Sequence, residues 1–266
     1  MKNISKIAEE FFVYGKSKDC PIYDLHGHMG TWYGQNTPAN TTEKMAKAMK
    51  EANVRRYVFC HSGGMLPDAG NISGVLEARK YPGLMRVYCG INPNYPEISE
   101  RDLKDFDKYK DVYVGIKMLA DYHGQPITHS GYKKAWEFAN KRKLLVLLHT
   151  WGGSKFNGPE QIEECAKKYP GCKILMGHSC HGEWDKAIRL VNKYKNVYFE
   201  LCAVMDERGV LEKFIGETGS EKMVFGTDFP QFSYHYYIGA ILAAAPSEED
   251  KKNIFYRNAK KLLGEN

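Results

Sequence analysis

Five short apolar runs in this chain end on a histidine or an aspartate, residues that hold metal ions and move protons. The 266 residues include nine histidines: His26, His28, His61, His123, His129, His149, His178, His181 and His235. His26, His61, His149 and His178 each close a run of branched or aromatic side chains, and Asp228 closes another. His28 follows His26 by two residues, so on an extended chain both imidazoles point to one side and can reach one ion. Gly27 between them removes side-chain bulk. His149 leaves Leu144-Leu145-Val146-Leu147-Leu148, His178 leaves Lys173-Ile174-Leu175-Met176-Gly177, and Asp228 leaves Met223-Val224-Phe225-Gly226-Thr227. A titratable group emerging from a buried strand needs a partner, because an unpaired polar group there costs free energy. Singly, each has a bland reading: a loop hydrogen bond for either histidine, a helix N-cap for Asp228. Jointly they bring titratable groups to one end of one fold.

The runs belong to a regular alternation that has to position these residues. Strand candidates are Ile22–His26, Arg56–His61, Met85–Asn92, Val112–Met118, Leu144–His149, Lys173–His178, Val197–Leu201 and Met223–Asp228. They are too short for helices and too uniformly apolar for strands with one wet face, so they read as buried parallel strands. Amphipathic helical stretches separate them. Thr41–Ala52 spaces Met45, Ala48, Met49 and Ala52 along one face, with Asn40 and Glu43 as a capping pair. Trp184, Ala187, Ile188 and Val191 repeat that spacing, and Met1–Tyr14 carries Ile4, Ile7, Ala8 and Phe11 as a helix ahead of the first strand. Eight strands with crossovers predict a single α/β domain over residues 1–266, a (β/α)8 barrel with residues 1–18 as an N-terminal helical extension. The C-terminal strand ends of such a barrel are where catalytic groups gather. An open doubly wound sheet is the competing architecture, but Asp24-Leu25-His26-Gly27-His28-Met29-Gly30 is not its Gly-rich phosphate loop.

Six segments carry a family resemblance across nearly the whole chain. They are Asp-Leu-His-Gly-His at 24–28, Gly-Ile-Lys at 115–117, Leu-His-Thr at 148–150, Met-Gly-His at 176–178, Phe-Gly-Thr-Asp-Phe-Pro at 225–230 and Arg-Asn-Ala-Lys-Lys-Leu-Leu-Gly at 257–264. In type and order they resemble the amidohydrolase-related family, which includes aminocarboxymuconate-semialdehyde decarboxylase and metal-dependent hydrolases. The resemblance implies one divalent ion on His26, His28, His149 and Asp228, with His178 beside it as acid/base or oxyanion stabiliser. Three imidazoles and a carboxylate suit Zn²⁺, with Mn²⁺, Fe²⁺ or Ni²⁺ also accepted by nitrogen and oxygen donors. An ion so held activates water, and Asp228 is the group to take its proton. Lys117 ends the fourth strand, where binuclear relatives carry a carboxylated lysine; a second ion is expected only if Lys117 is so modified. Unmodified, it is a cation able to bind a substrate carboxylate or oxyanion.

Other residues leave alternatives open. His61 either lines the pocket or marks the turn Cys60-His61-Ser62-Gly63-Gly64. Glu200 either binds substrate or hydrogen-bonds a neighbouring strand end, the second being the simpler. Trp151 begins a loop that could wall the pocket with apolar surface. The first functional expectation is hydrolysis of a small amide, ester or lactone; the alternative is non-oxidative decarboxylation of an unsaturated or aromatic acid with the same ligands. A non-catalytic zinc-stabilised binding protein fits poorly, because structural zinc sites favour cysteine ligands.

Composition bounds the partners. The net charge of +6 comes largely from lysines in helical stretches, the pattern of a solvated face and no nucleic-acid footprint. It is compatible with a small anionic substrate. No apolar run reaches the ~18 residues of a membrane span, and no signal-peptide core interrupts Met1–Gly15. Seven scattered cysteines without CxxC spacing read as buried reduced thiols of a cytoplasmic protein. A homo-oligomer is compatible with all of this.

Overall fold

Each predicted apolar run becomes a parallel strand, and neighbours in sequence are neighbours in space. The computed structural model describes residues 5–31, 37–65 and 70–265. Its strands are β1 (Ile22–Met29), β2 (Val54–His61), β3 (Met85–Ile91), β4 (Tyr113–Met118), β5 (Leu145–Trp151), β6 (Lys173–His181), β7 (Val197–Glu200) and β8 (Met223–Val224). They form one eight-stranded sheet in the order β1 to β8. The seam closes by backbone hydrogen bonds: Leu25 N–H donates to Phe225 O, His28 N–H to Phe229 O, and Gly27 bridges Phe229. The architecture is a (β/α)8 barrel in a single domain.

Two packed layers account for its stability. Leu25, Val58, Cys60, Tyr88, Leu145, Leu147, Leu175 and Val224 fill the barrel interior. A larger shell between sheet and helices contains Met45, Met49, Trp136, Ile188 and Phe214. The helix Trp184–Lys193 shows the logic: Trp184, Ala187, Ile188 and Val191 are buried while its charged residues face outward. The helix Lys6–Tyr14 buries Ile7, Ala8 and Phe11, and the Phe11 ring lies 5.8 Å from His235. Residues 1–4 of the predicted first helix, Ile4 included, lie outside the described residues.

The capping pair at Asn40 and Glu43 is off by one residue. Thr41 is the cap of the helix Thr42–Glu51, its hydroxyl accepting from Lys44 N–H at 3.3 Å. The eighth strand is shorter than its apolar run. His26 O accepts from both Thr227 N–H (3.2 Å) and Asp228 N–H (2.8 Å), so the chain turns there. A Cβ on Gly226 would lie 1.9 Å from Glu200 Oε1, which is why only glycine passes this point. All seven cysteines are buried and free, as their scatter predicts. Among the described residues, no helix is long and apolar enough to cross a membrane.

Candidate active site at the barrel mouth

Strand alternation and two local departures from it bring the histidines to a common cleft. Leu145 and Leu147 face the barrel interior, so His149, two residues on, continues along that face to the mouth. In β1 a register irregularity between Asp24 and Gly27 lets Leu25 and His26 both face inward. Gly27 then faces Tyr57, where a Cβ would collide with the ring at 2.0 Å. The Tyr57 hydroxyl is within 2.7 Å of both His28 O and Phe229 O, bracing the seam directly under the site. His178 and Asp228 arrive by another device, since both have left-handed backbones (φ 66° and 55°). Such conformations cost side-chain-bearing residues on the order of 1–3 kcal/mol and cluster at functional sites.

The result is one cleft lined by His26, His28, Lys117, Tyr122, His149, His178, Asp228 and Gln231. Asp228 Oδ1 lies 3.0 Å from His26 Nε2 and 3.0 Å from His28 Nε2. Its Oδ2 is 3.9 Å from His178 Nε2. Lys117 Nζ is 2.8 Å from His26 Nε2. Glu200 Oε2 accepts from His26 Nδ1 at 2.7 Å, which leaves the Nε2 lone pair pointing into the cleft. His149 turns Nδ1 to Asp121 at 3.2 Å, and Asp121 is itself held by Ser154 and Asn157. Carboxylates behind ligand imidazoles set the tautomer and raise ligand basicity. His28 Nδ1 is 3.4 Å from Cys60 Sγ.

The electrostatics call for positive charge at the centre. Burial favours a neutral His28, but the Cys60 sulfur and the Asp228 carboxylate push its pKa up to about 10. Burial also works against the Asp228 anion, yet His26, His178 and His28 hold its carboxyl well below the usual range. Burial pushes His178 down to about 3, so its ring is neutral near pH 7. Burial likewise raises Glu200 to about 7, against the pull of His178 and two backbone N–H groups. Two imidazole nitrogens converging on a carboxylate oxygen make a cation socket. His26, His28 and Asp228 accordingly present ligand atoms all within 4.8 Å of one another. His149 shares the cleft but stands outside that tight trio.

The remaining sequence candidates divide. Lys117 is buried at the cleft floor, and Trp151 is a rim residue, 40% exposed, stacked on His181 at 4.3 Å and 6.2 Å from the His149 ring. His61 lies elsewhere: its Nδ1 accepts from Gly63 N–H, its ring packs over Gly30, and it does not line this cleft. Glu200 makes the structural hydrogen bonds that the simpler reading anticipates. Asp121 and Tyr122 were not legible as site residues, whereas Gln231 belongs to the segment Phe229-Pro230-Gln231-Phe232, a loop that from the sequence could wall the pocket. Asp121 follows β4 in the short helix Ala120–His123, where no spacing in the sequence relates it to His149.

Fold and site together define a barrel enzyme with its chemistry at the strand ends, and the sequence comparison agrees. The profile of the amidohydrolase family matches residues 27–264, and the chain belongs to that family of metal-dependent enzymes. No curated protein matches it in sequence. Among solved structures, dihydroxybenzoic acid decarboxylase from Polaromonas, with bound manganese and 2-nitroresorcinol, is 15% identical with a TM-score of 0.72, covering 92% of this chain and 97% of that one. The 5-carboxyvanillate decarboxylase from Novosphingobium aromaticivorans, complexed with manganese and 4-hydroxy-3-methoxy-5-nitrobenzoic acid, is 13% identical with a TM-score of 0.72, covering 92% and 96%. The 2,6-dihydroxybenzoate decarboxylase from Rhizobium is 14% identical with a TM-score of 0.71, covering 92% and 99%. At these identities the likeness is one of fold.

Proposed function

We propose that this protein is a metal-dependent, non-oxidative decarboxylase of an aromatic or unsaturated carboxylic acid. The observation that carries the reading is the place of Lys117, a buried lysine beside the cation socket of His26, His28 and Asp228, so that an ion in the socket and this cation together would receive a substrate carboxylate. The similar folds that hold benzoate-type ligands support the same direction over hydrolysis of an amide, ester or lactone, the first expectation from the sequence. His26, His28 and Asp228, joined by His149, would hold the ion; their donors suit Mn²⁺ as well as Zn²⁺. When bound, the ion supplies fixed positive charge for substrate oxygens.

The chain's own residues supply the rest. Loss of CO₂ leaves the carbon–carbon bond pair on the substrate carbon, and one proton must quench it. His178 and Asp228, with Nε2 and Oδ2 3.9 Å apart, are the pair to relay that proton from solvent to carbon. Lys117 neutralises the substrate anion at the cleft floor, while Tyr122 and Trp151 give a planar ring apolar walls. Glu200 and Asp121 keep His26 and His149 in the tautomers that present Nε2 to the cleft.

Metal-assayed protein should release CO₂ from hydroxybenzoates or related unsaturated acids, with a matching mass loss, and stop after chelation. Turnover of lactones or amides without CO₂ release would return the function to hydrolysis. Lys117→Ala should keep one ion per chain and raise KM for the acid by about tenfold, the scale of a lost charge-assisted contact. Two ions per chain, with bicarbonate-dependent activity lost in that variant, would instead make Lys117 a carboxylated bridge.

A further inference from the structure

The cleft holds a second cluster of metal-binding groups, which shares His26 and His178 with the proposed reaction and adds Cys202, a thiol that the reaction does not use. His26, His178 and Cys202 are all buried, and their ligand atoms lie within 4.8 Å of one another. Cys202 lies two residues past Glu200, the last residue of β7, and is fully buried. Its sulfur has a long contact to the Tyr237 hydroxyl, 3.7 Å. His178 Nδ1 is buried without a hydrogen-bond partner, which marks an unmet need in a closed site.

One carboxylate organises all three residues. Glu200 Oε2 accepts from His26 Nδ1 at 2.7 Å and from the His178 backbone N–H at 3.1 Å, while Oε1 accepts from the Cys202 backbone N–H at 2.8 Å. The trio is therefore held from a single anchor, as ligands of a built site are held by groups behind them. Its donors, two imidazoles and a sulfur, differ in kind from the nitrogen and oxygen set of His26, His28 and Asp228. Thiolate donors select soft, thiophilic ions.

We propose that His26, His178 and Cys202 form a second metal position, overlapping the first, that takes a thiophilic divalent ion. Binding converts the Cys202 thiol to a metal thiolate and releases one proton to solvent. The two positions exclude each other at His26. Its Nδ1–H belongs to Glu200, so the single Nε2 lone pair serves one ion at a time. Soft ions thus take His26 and His178 together out of the proposed reaction. The inference concerns ligand chemistry and does not depend on which reaction the enzyme performs.

Cd²⁺ added to the chelator-stripped, reduced full chain is the test. One equivalent should produce a thiolate-to-cadmium charge-transfer band in the ultraviolet. Cys202→Ser should abolish the band with the fold retained by circular dichroism. Cys60→Ser, which removes the thiol beside His28, should leave it intact. Mn²⁺ at roughly 100 times its own Kd should weaken Cd²⁺ binding by a factor on the order of 10², because both ions need His26. If Cys202→Ser fails to fold, the ¹¹³Cd resonance of the wild-type complex decides the matter, one sulfur with nitrogen donors being required. No band in the wild type, a band that survives Cys202→Ser, or a sulfur-free ¹¹³Cd shift would overturn the proposal. Simultaneous binding of Mn²⁺ and thiolate-ligated Cd²⁺ would overturn the shared His26.

Discussion

His26 and His149 each present Nδ1 to a carboxylate, Glu200 at 2.7 Å and Asp121 at 3.2 Å, yet the two carboxylates respond in opposite directions. Glu200 is fully buried, and burial raises it to about 7 despite the N–H groups it accepts from. Asp121, with a side chain 31% exposed, is also penalised by burial, but His149, Ser154 and Asn157 outweigh that and bring it down to about 2. The same contact is thus built into two different walls. On the side of β1, β7 and β8, ligands and supports are closed off from water and cross-braced through Asp24, Thr227 and Tyr57. On the side of β4 and β5, Tyr122 is 58% exposed and Trp151 40%. The closed wall suits fixed chemistry and the open wall suits the fit of a substrate.

The largest expected effect tests whether the closed wall holds the ion. His26→Ala should lose bound metal almost completely with the fold retained, whereas His149→Ala should lose less. Equal occupancy in both variants, measured by metal analysis of dialysed protein, would erase the distinction between the walls.

His178 stands between the walls, its ring centroid 5.0 Å from that of His26 and 4.9 Å from that of His149. His178→Asn should keep most of the ion and lose turnover by a factor on the order of 10²–10⁴, the usual worth of positioned acid–base help. Loss of the native ion in that variant would make His178 a ligand of the first site.

The smallest effects come from the two supporting carboxylates and sharpen the contrast directly. Glu200→Gln should weaken metal binding roughly 10–100-fold, and Asp121→Asn by less than about tenfold. Their pH signatures in the metal-free protein should differ in sign. Glu200 has a folded pKa of about 7, above its ordinary 4.5, so the unfolded chain ionises first and stability falls as pH rises between those values. Asp121 has a folded pKa of about 2, below its ordinary 3.8, so its contribution is complete above 3.8 and is lost as pH falls towards 2. Tm profiles should show Glu200→Gln flattening the first slope and Asp121→Asn the second. A common effect of both variants in one window would mean that the two environments are alike.

Sequence alone determined the barrel and much of the site's composition. Eight apolar runs with amphipathic helices between them have one economical closed arrangement, and residues closing such runs must meet at its C-terminal mouth. That argument reaches His26, His28, His149, His178, Asp228 and Lys117, because each closes or follows an apolar run, although left-handed turns at His178 and Asp228 and a register shift in β1 complete what the period of two begins. It overreaches at His61, whose strand end is equally apolar but whose ring turns to Gly30 instead of the cleft. Only the tertiary structure decided which groups stand behind the ligands. Asp121 and His149 belong to neighbouring strand ends, while His26 and Glu200 are 174 residues apart, and no local pattern encodes either pairing. The same holds for Cys202, which in sequence is one more buried thiol. Its nearness to His26 and His178 follows from the left-handed turn at His178 and from Glu200 gripping three segments at once, contacts that exist only when the barrel has closed.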